Sequence, residues 1–303
     1  MGIFLGLLAA IFWGAADFFA RYATQRIGTY RTLFYMQLFG LVGLSIYLLA
    51  TGTFSRFAPT DSRYWQPWLW ALSTAVLSVF STLALYRAFE VGVLTIVSPI
   101  AASSSALTLV LSFLNGEIIS LVQGLGIGAA LIGVVLAATS FTPSPFAPTA
   151  TALNAELVLR QKRKQSSGIG WALLASVGFG VIFWMLGFHV TPFLGGITPV
   201  WLIRLMAVCL LALLASPMRQ TIIPPRGPVW WYITGVGILD TAAFVIAAIA
   251  LGNGQEVAIV SVLVSLFSAV TIVLAWIFLH EKLHWSQWLG ICIIFVGIVL
   301  VNI

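Results

Sequence analysis

The chain has 303 residues, of which 61% are hydrophobic and 7% are charged, and its mean hydropathy is +1.08. Soluble domains carry roughly 25% charged residues, so this composition excludes a soluble protein and indicates a multi-pass protein of the cell membrane, plasma or inner. The formal charge of +6 does not indicate a nucleic-acid partner, because the basic residues cluster beside the ends of apolar segments.

Ten apolar segments follow one another along the chain, each long enough to cross about 30 Å of hydrocarbon as an α-helix. They cover residues 3–20, 31–50, 68–88, 93–114, 120–140, 169–189, 197–215, 229–251, 257–279 and 285–302. The predicted fold class is therefore an all-α integral membrane protein with ten transmembrane helices. The first segment has no Lys or Arg before it, which favours a mature helix over a signal peptide.

The first segment contains an acidic residue, Asp17, in the stretch IFWGAADFFARYA. A charge within the membrane is retained only when it is paired, hydrated or functional. Arg21 lies one helical turn further on, so a local ion pair is one interpretation. The other is that Asp17 faces a central cavity and binds a proton or the cationic part of a substrate.

Aromatic side chains are candidates for the lining of such a cavity, where they would stack on a ligand or hold a cation. The candidates are Trp13, Tyr35, Tyr86 and Trp184. In the fourth segment, Pro99 should free a backbone carbonyl and bend the helix, and the hydroxyl group of Ser98 could bind that carbonyl or a substrate. Helix packing explains the serine equally well.

The seventh and eighth segments each contain one charged residue near the middle. Arg204, in WLIRLMAV, either holds a carboxylate, that of Asp240 included, or extends towards the nearer interface. Asp240, in GVGILDTAAF, has no basic residue within four positions. A buried carboxyl group without a partner could stay protonated at neutral pH and exchange its proton when the cavity opens to water. A hydrogen bond to a neighbouring helix is the alternative.

Between the ninth and tenth segments lies HEKLH, which has the H-E-x-x-H spacing of zinc hydrolases at His280, Glu281 and His284. A zinc site needs a third protein ligand, and the remaining histidine, His189, lies at a different helix end. Near the start of the last helix, Glu281 interacts favourably with the helix dipole. The sequence therefore favours a helix-to-helix turn and no bound metal.

The chain also contains an internal repeat, because Glu117, Gln123, Gly126, Gly133, Val135 and Leu136 recur 164 positions later, and LLAAIFWG at 7–14 resembles LLASVGFG at 173–180. Each half has an odd number of segments, so the second half enters the bilayer from the opposite side. The predicted domains are a five-helix repeat over 1–140, a polar basic linker over 141–168 and a second five-helix repeat over 169–303. Such an inverted repeat around a central cavity suits alternating access and favours a transporter.

These features resemble the drug/metabolite transporter superfamily, in particular its ten-helix EamA type. The resemblance rests on FWGAADFF in the first segment, on ALYRAFEVG leading into IVSPIAA, and on the pattern E-x5-Q-x2-G-x6-G near the end of each half. It implies ten helices around a central cavity, no ATP-hydrolysing domain and transport driven by gradients. Branches of this family move amino acids, amines, nucleotide precursors and drugs, so the resemblance leaves the substrate open.

The predicted function is a proton-coupled secondary transporter that exports a small organic metabolite or drug, such as an amine or amino acid. Its expected partners are a small-molecule substrate, protons and the lipid bilayer, with no nucleic acid and no cofactor, and it would act as a monomer or homodimer. It is not predicted to be an enzyme. An intramembrane zinc hydrolase and a passive channel or scaffold are the alternatives.

The distribution of basic residues predicts which side of the membrane each connection occupies. Eleven of them lie in or beside the odd-numbered connections: Arg21, Arg26, Arg31, Arg87, Arg160, Lys162, Arg163, Lys164, Arg219, Arg226 and Lys282. The even-numbered connections hold two, Arg56 and Arg63. The positive-inside rule then places both termini outside, whereas proteins resembling this family are usually described with both termini in the cytoplasm.

Overall fold

A computed structural model describes residues 2–52, 65–92, 94–138, 152–252, 256–279 and 285–301. Within these ranges the chain forms helices joined by short turns, and no strand is present. The helices in chain order are α1 (Gly2–Ile27), α2 (Thr29–Ala50), α3 (Trp65–Val91), α4 (Leu94–Ala102), α5 (Ser104–Leu114), α6 (Leu121–Ala138), α7 (Ala152–Met185), α8 (Thr191–Leu194), α9 (Ile197–Ala215), α10 (Val229–Leu251), α11 (Val257–Ser265), α12 (Phe267–Leu279) and α13 (Trp285–Val301), with a π-helical turn (Leu186–Val190) between α7 and α8.

These helices account for all ten predicted segments. In the described residues, eight spans are long and apolar enough to cross a membrane, among them α4 with α5, the end of α7 with α8, and α11 with α12. The shorter apolar helices α6 and α13 supply the other two segments. The predicted fold class, an all-α membrane protein built from two halves, is confirmed.

Part of the predicted polar basic linker over 141–168 is helical. Helix α7 begins at Ala152, so the basic stretch is a continuation of the sixth transmembrane helix. Its sequence, ALNAELVLRQKRKQ, is rich in Ala, Leu, Glu, Arg, Lys and Gln, which are the residues with the highest helix propensity. The exact boundaries of the two repeats stay a prediction.

The two halves interlock instead of lying side by side. Helix α1 packs against α10 and α12 of the second half, and its counterpart α7 packs against α3 and α5 of the first half. Helix α2 packs against α9, and α6 packs against α13. Each half therefore completes its core only with helices of the other half.

The same contact between helices occurs once in each half. It involves the last glycine of each repeated octapeptide, Gly14 in LLAAIFWG and Gly180 in LLASVGFG. The hydroxyl group of Thr271 donates to the carbonyl oxygen of Gly14 at 3.2 Å, and that of Thr108 donates to the carbonyl oxygen of Gly180 at 3.0 Å. A Cβ atom on Gly14 would lie 2.5 Å from a side-chain atom of α12, and one on Gly180 would lie 2.8 Å from α5. Glycine is required at both positions because the helices touch there, so the repeat in the sequence is a repeat of contacts.

The fourth and ninth transmembrane segments are both interrupted near their middle. The first break is at Ser103, four residues after Pro99, where the Ser103 hydroxyl donates to the carbonyl oxygen of Ile100 at 2.7 Å. The second break is at Leu266 and has no proline. There, Ser265 donates to a carbonyl oxygen three residues before it at 2.6 Å. Such serine hydroxyls compete with the backbone hydrogen bonds of a helix and bend it. Proline and serine together explain the first break, and serine alone explains the second.

Candidate functional site

A cavity lies at the centre of the bundle, between the two helix breaks. Its lining comes from both halves and consists of Trp13, Asp17, Thr82, Leu85, Tyr86, Ala101, Ser104, Phe179, Phe183, Arg204, Asp240, Phe244, Val264 and Phe267. The cavity has a volume of about 50 Å³, enough for a few water molecules. Pockets that hold drug-sized ligands usually measure about 300–1,000 Å³, so the cavity would have to widen to hold a ligand of that size.

An ion pair between neighbouring helices forms one wall of the cavity. Nη2 of Arg204 lies 2.6 Å from Oδ2 of Asp240, and Nη1 of Arg204 donates to Oε1 of Gln37 at 2.5 Å. The indole of Trp13 donates to the second oxygen of Asp240 at 2.9 Å. The guanidinium carbon also lies 5.4 Å from the ring centre of Phe244. Both oxygens of Asp240 therefore have partners.

Of the two interpretations of Asp240, the structure has the one in which neighbouring helices bind the carboxyl group. Its charged partner, Arg204, is 36 residues away in the chain, on α9, and so is not among the four sequence positions on either side of Asp240. Arg204 does not extend towards an interface, because the residue is only 1% exposed and is the largest fully buried side chain in the described chain. Of the two interpretations of Arg204, the structure has the one in which it holds a carboxylate.

Asp17 faces the same cavity and is 6% exposed. Its Oδ2 atom has no hydrogen-bond partner among the described residues. Of the two interpretations of Asp17, the structure does not have the ion pair with Arg21, because Nη1 of Arg21 donates to the carbonyl oxygens of Phe89 and, at 2.6 Å, Gly92. Arg21 thus binds the carboxyl end of α3, and Asp17 is left beside the Arg204–Asp240 pair.

Aromatic rings surround these polar groups. Trp13 makes edge-to-face contacts with Phe183 and Phe244, with ring centres 5.8 Å and 5.4 Å apart. Tyr86 also lines the cavity, as predicted from the sequence. Such rings offer apolar surface and π faces to an organic cation.

Three predicted lining residues do not reach the cavity. The Tyr35 hydroxyl donates to the carbonyl oxygen of Ile222 at 2.6 Å, and Trp184 donates to Oδ1 of Asn115 at 3.3 Å. Trp184 directly follows Phe183, and one residue turns a helix by about 100°, so it points elsewhere. Ser98 is buried away from the cavity, and its hydroxyl has no partner among the described residues.

Three residues at or beside the cavity were not predicted from the sequence, although the sequence contains signals for them. Gln37 is a polar residue within an apolar helix, which is a marker of interhelical contact. Phe179 and Phe183 occupy the positions of Trp13 and Asp17 in the second repeat, at a shift of 166. All four line the cavity, so the repeat could have identified the two phenylalanines.

Among the residues that the structure describes, no group of three His, Cys, Asp or Glu side chains is arranged to hold a metal ion. The H-E-x-x-H residues His280, Glu281 and His284 lie outside the described ranges. His189 is stacked on the indole of Trp70, with ring centres 4.5 Å apart.

Comparison with known proteins gives a family, a relative and a fold. A sequence model of the EamA-like transporter family matches residues 1–139 and 166–303. An uncharacterized protein of Methanocaldococcus jannaschii, MJ1333.1, is 32% identical over 139 residues, which are 46% of this chain and 96% of that protein. A chain of a solved crystal structure superimposes with a TM-score of 0.68 at 16% identity, covering 99% of this chain and 95% of that chain. The aligned length in the archaeal relative is about that of one repeat.

Proposed function

The chain belongs to the EamA-like transporter family and is thus a membrane transporter of the drug/metabolite type; we propose that it exchanges a small organic substrate for protons by alternating access. The observation that carries the proposal is the carboxyl group of Asp17, buried in the central cavity with an oxygen that has no partner among the described residues.

The balance of charges among the cavity residues supports Asp17 as the proton carrier. Arg204 compensates the charge of Asp240 at 2.6 Å, and no second cation lines the cavity in the described chain. A second carboxylate in this environment would have a large unfavourable desolvation free energy unless a proton or a cationic ligand neutralises it. Asp17 therefore binds a proton when the cavity is closed and exchanges it for a cationic substrate when the cavity opens. Asp240, held by Arg204 and Trp13, helps to bind the substrate.

The two helix breaks support alternating access. They lie at corresponding places in the two inverted halves, and Ala101, Ser104, Val264 and Phe267 next to them line the cavity. Discontinuous helices of this kind mark the binding site in transporters with inverted repeats. Movement at one break would open the cavity to one side of the membrane, and movement at the other break would open it to the opposite side.

The lining favours an organic amine as substrate. Six aromatic rings face the cavity, those of Trp13, Tyr86, Phe179, Phe183, Phe244 and Phe267. The guanidinium of Arg204 is already bound by Gln37 and Asp240, so it is less suited to hold the carboxylate of an amino acid. Exchange of one monovalent ammonium group for one proton would leave the charge of the cavity unchanged.

The test is proton movement driven by substrate in proteoliposomes, across a panel of amines, amino acids, nucleosides and cationic drugs. We expect a saturable signal in the wild type that disappears in Asp17→Asn, because asparagine carries no exchangeable proton and cannot balance the charge of a bound ammonium ion. Glu90→Gln is the matched control, because Glu90 is paired with Arg87 at 2.9 Å near a helix end. Undiminished proton movement in Asp17→Asn would reject this role.

A further inference from the structure

The guanidinium group of Arg204, on α9, binds side chains of two other helices. Its Nη2 atom lies 2.6 Å from the carboxylate of Asp240 on α10, and its Nη1 atom donates to the side-chain oxygen of Gln37 on α2 at 2.5 Å. Asp240 lines the cavity, whereas Gln37 has no exposed surface and does not line it. Any effect of Gln37 on a molecule in the cavity must therefore act through Arg204.

Helix α2 also fixes the position of the arginine side chain. Gly40 lies one helical turn after Gln37, and a Cβ atom at Gly40 would lie 3.1 Å from both Cδ and Nε of Arg204. On α10, the ring centre of Phe244 lies 5.4 Å from the guanidinium carbon. The side chain is thus confined between α2 and α10, and its charge is held beside Asp240.

The partner that α2 offers to Arg204 is neutral. An amide oxygen accepts a hydrogen bond and carries no net charge, so Gln37 orients the guanidinium and leaves its charge to balance Asp240. The Nε2 atom of Gln37 has no hydrogen-bond partner among the described residues. The oxygen that accepts from Arg204 is therefore the part of this side chain that makes a polar contact.

The neutrality of Gln37 determines how much positive charge the cavity can accept. The charged side chains that line the cavity in the described chain are Asp17, Arg204 and Asp240, and Tyr86 is a phenol that is neutral at pH 7. One guanidinium balances one of the two carboxylates. The other carboxylate then needs one proton or one cation, because an unbalanced buried charge is strongly unfavourable.

We propose that Gln37 is a specificity-determining residue that limits the substrate to a single positive charge, because as a neutral partner of Arg204 it leaves one carboxylate of the cavity for the substrate. The inference rests on the proposed function and adds the residue that selects the charge of the substrate. When a monovalent ammonium ion binds, the proton of the Asp17 carboxyl group leaves for water, and the net charge of the cavity does not change.

Gln37→Glu is the variant that tests this role, because it keeps the shape and the accepting oxygen and adds one negative charge. The introduced carboxylate would pair with Arg204, and Asp240 would then need a proton or a cation of its own. A divalent amine could now replace two protons, one from each aspartate. We therefore expect the variant to prefer a divalent substrate.

The measurement is isothermal titration calorimetry of the full chain in detergent, with butylamine and putrescine, which have the same carbon chain and carry one and two positive charges. Titration in two buffers with different ionisation enthalpies gives the Kd and the number of protons released. We expect the wild type to release one proton with butylamine and to bind putrescine about tenfold more weakly. Gln37→Glu should bind putrescine more tightly than butylamine and release two protons with it. The wild-type preference and proton count in this variant would overturn the inference.

A second pair of variants tests the same charge balance and does not depend on the folding of Gln37→Glu. In Asp240→Asn, the charge of Arg204 is left to Asp17, so we expect butylamine to bind about tenfold more weakly and to release no proton. Adding Gln37→Glu to that variant restores the wild-type number of charges and should restore both the affinity and the release of one proton. Further weakening in the double variant would show that Gln37 only packs, and would overturn the inference.

These titrations require binding but no transport. Absence of amine-driven proton movement in proteoliposomes would reject the proposed exchange, whereas the proton count in detergent decides the role of Gln37 independently.

Discussion

At the scale of single residues, the cavity contains two carboxyl groups, of which one has a partner for each oxygen and the other has an oxygen without a hydrogen-bond partner among the described residues. Asp240 accepts from Arg204 and from Trp13, while one oxygen of Asp17 has no partner among the described residues. A paired carboxylate keeps its charge and its position, whereas an unpaired one responds to whatever enters the cavity. This difference in environment is the reason why we propose different roles for the two aspartates.

Removal of Arg204 alone should destabilise the protein strongly, because it leaves the carboxylate of Asp240 buried without its counter-charge. We expect Arg204→Met to lower the free energy of unfolding by about 3–5 kcal/mol, and the double variant Arg204→Met/Asp240→Asn to recover most of the loss. Unfolding in detergent, followed by tryptophan fluorescence, measures both. Arg226→Met removes an exposed arginine and should change little. A double variant as unstable as the single one would show that the pair does not account for the effect.

At the scale of secondary structure, short polar contacts hold the helices of one half against those of the other. The threonine-to-glycine hydrogen bonds join α12 to α1 and α5 to α7. On the loop after α5, the carboxylate of Glu117 accepts a hydrogen bond from the backbone N–H of Ala258 at 3.1 Å, in the first turn of α11. Glu117 thus ties the connection between α5 and α6 to the broken ninth segment.

The two threonine contacts should contribute equally, because they are the same contact in the two halves. Thr108→Val and Thr271→Val each remove one hydroxyl donor and keep the volume, and each should cost about 0.6 kcal/mol, the average for such bonds between membrane helices. Denaturant unfolding of each variant beside wild type is the measurement. If one variant lost several times more stability than the other, the two contacts would not be equivalent.

Glu117 should make stability depend on pH. Burial raises the pKa of its carboxyl group above its ordinary value, the N–H of Ala258 opposes the increase, and the nearby Glu256 adds to it. Because the pKa is higher in the folded protein, this group favours folding when it is protonated, and the contribution is lost as the pH rises through the folded-state pKa.

The measurement is the melting temperature of wild type and Glu117→Gln from about pH 4 to about pH 7. Glutamine stays neutral and retains an oxygen that can accept from Ala258. We therefore expect the melting temperature of the wild type to fall relative to that of the variant as the pH rises. Parallel curves would contradict the prediction, since all other titrating groups are common to both proteins.

At the scale of the whole molecule, the two halves have the same contacts but different chemistry. Asp17 is matched by Phe183 in the second repeat, and neither Arg204 nor Asp240 has a charged counterpart at the repeat shift. The scaffold is therefore pseudo-symmetric, which suits the proposed alternating access, while the charges lie in one copy only. In the proposed transporter, this combination gives a single binding site with a defined charge.

The charge distribution also predicts the orientation of the molecule. Eleven basic residues in the odd-numbered connections against two in the even-numbered ones place both termini outside. We expect alkaline phosphatase fused after Ile303 to be active and green fluorescent protein at the same site to be dark. The opposite result would give the termini in the cytoplasm and would show that the basic residues do not set the orientation.

Much of the molecule can be predicted from the sequence because it depends on local features of the chain. The length of each apolar run defines a transmembrane helix, and the shift of 164 to 166 residues defines the two halves. The charged residues Asp17, Arg204 and Asp240 stand out because charge is rare in hydrocarbon. These features were sufficient for the fold and for five of the cavity residues, Trp13, Asp17, Tyr86, Arg204 and Asp240.

Only the tertiary structure decided which of these residues meet. In a soluble helix the apolar stripe marks the buried face, but in a membrane the lipid-facing and inward faces are both apolar, so periodicity does not identify the inward one. Tyr35 and Trp184 were misplaced for this reason, and Gln37 was missed. The partner of Asp240 and the unsatisfied oxygen of Asp17 both depend on how separate helices pack, and the pattern of residues along one chain does not record that packing.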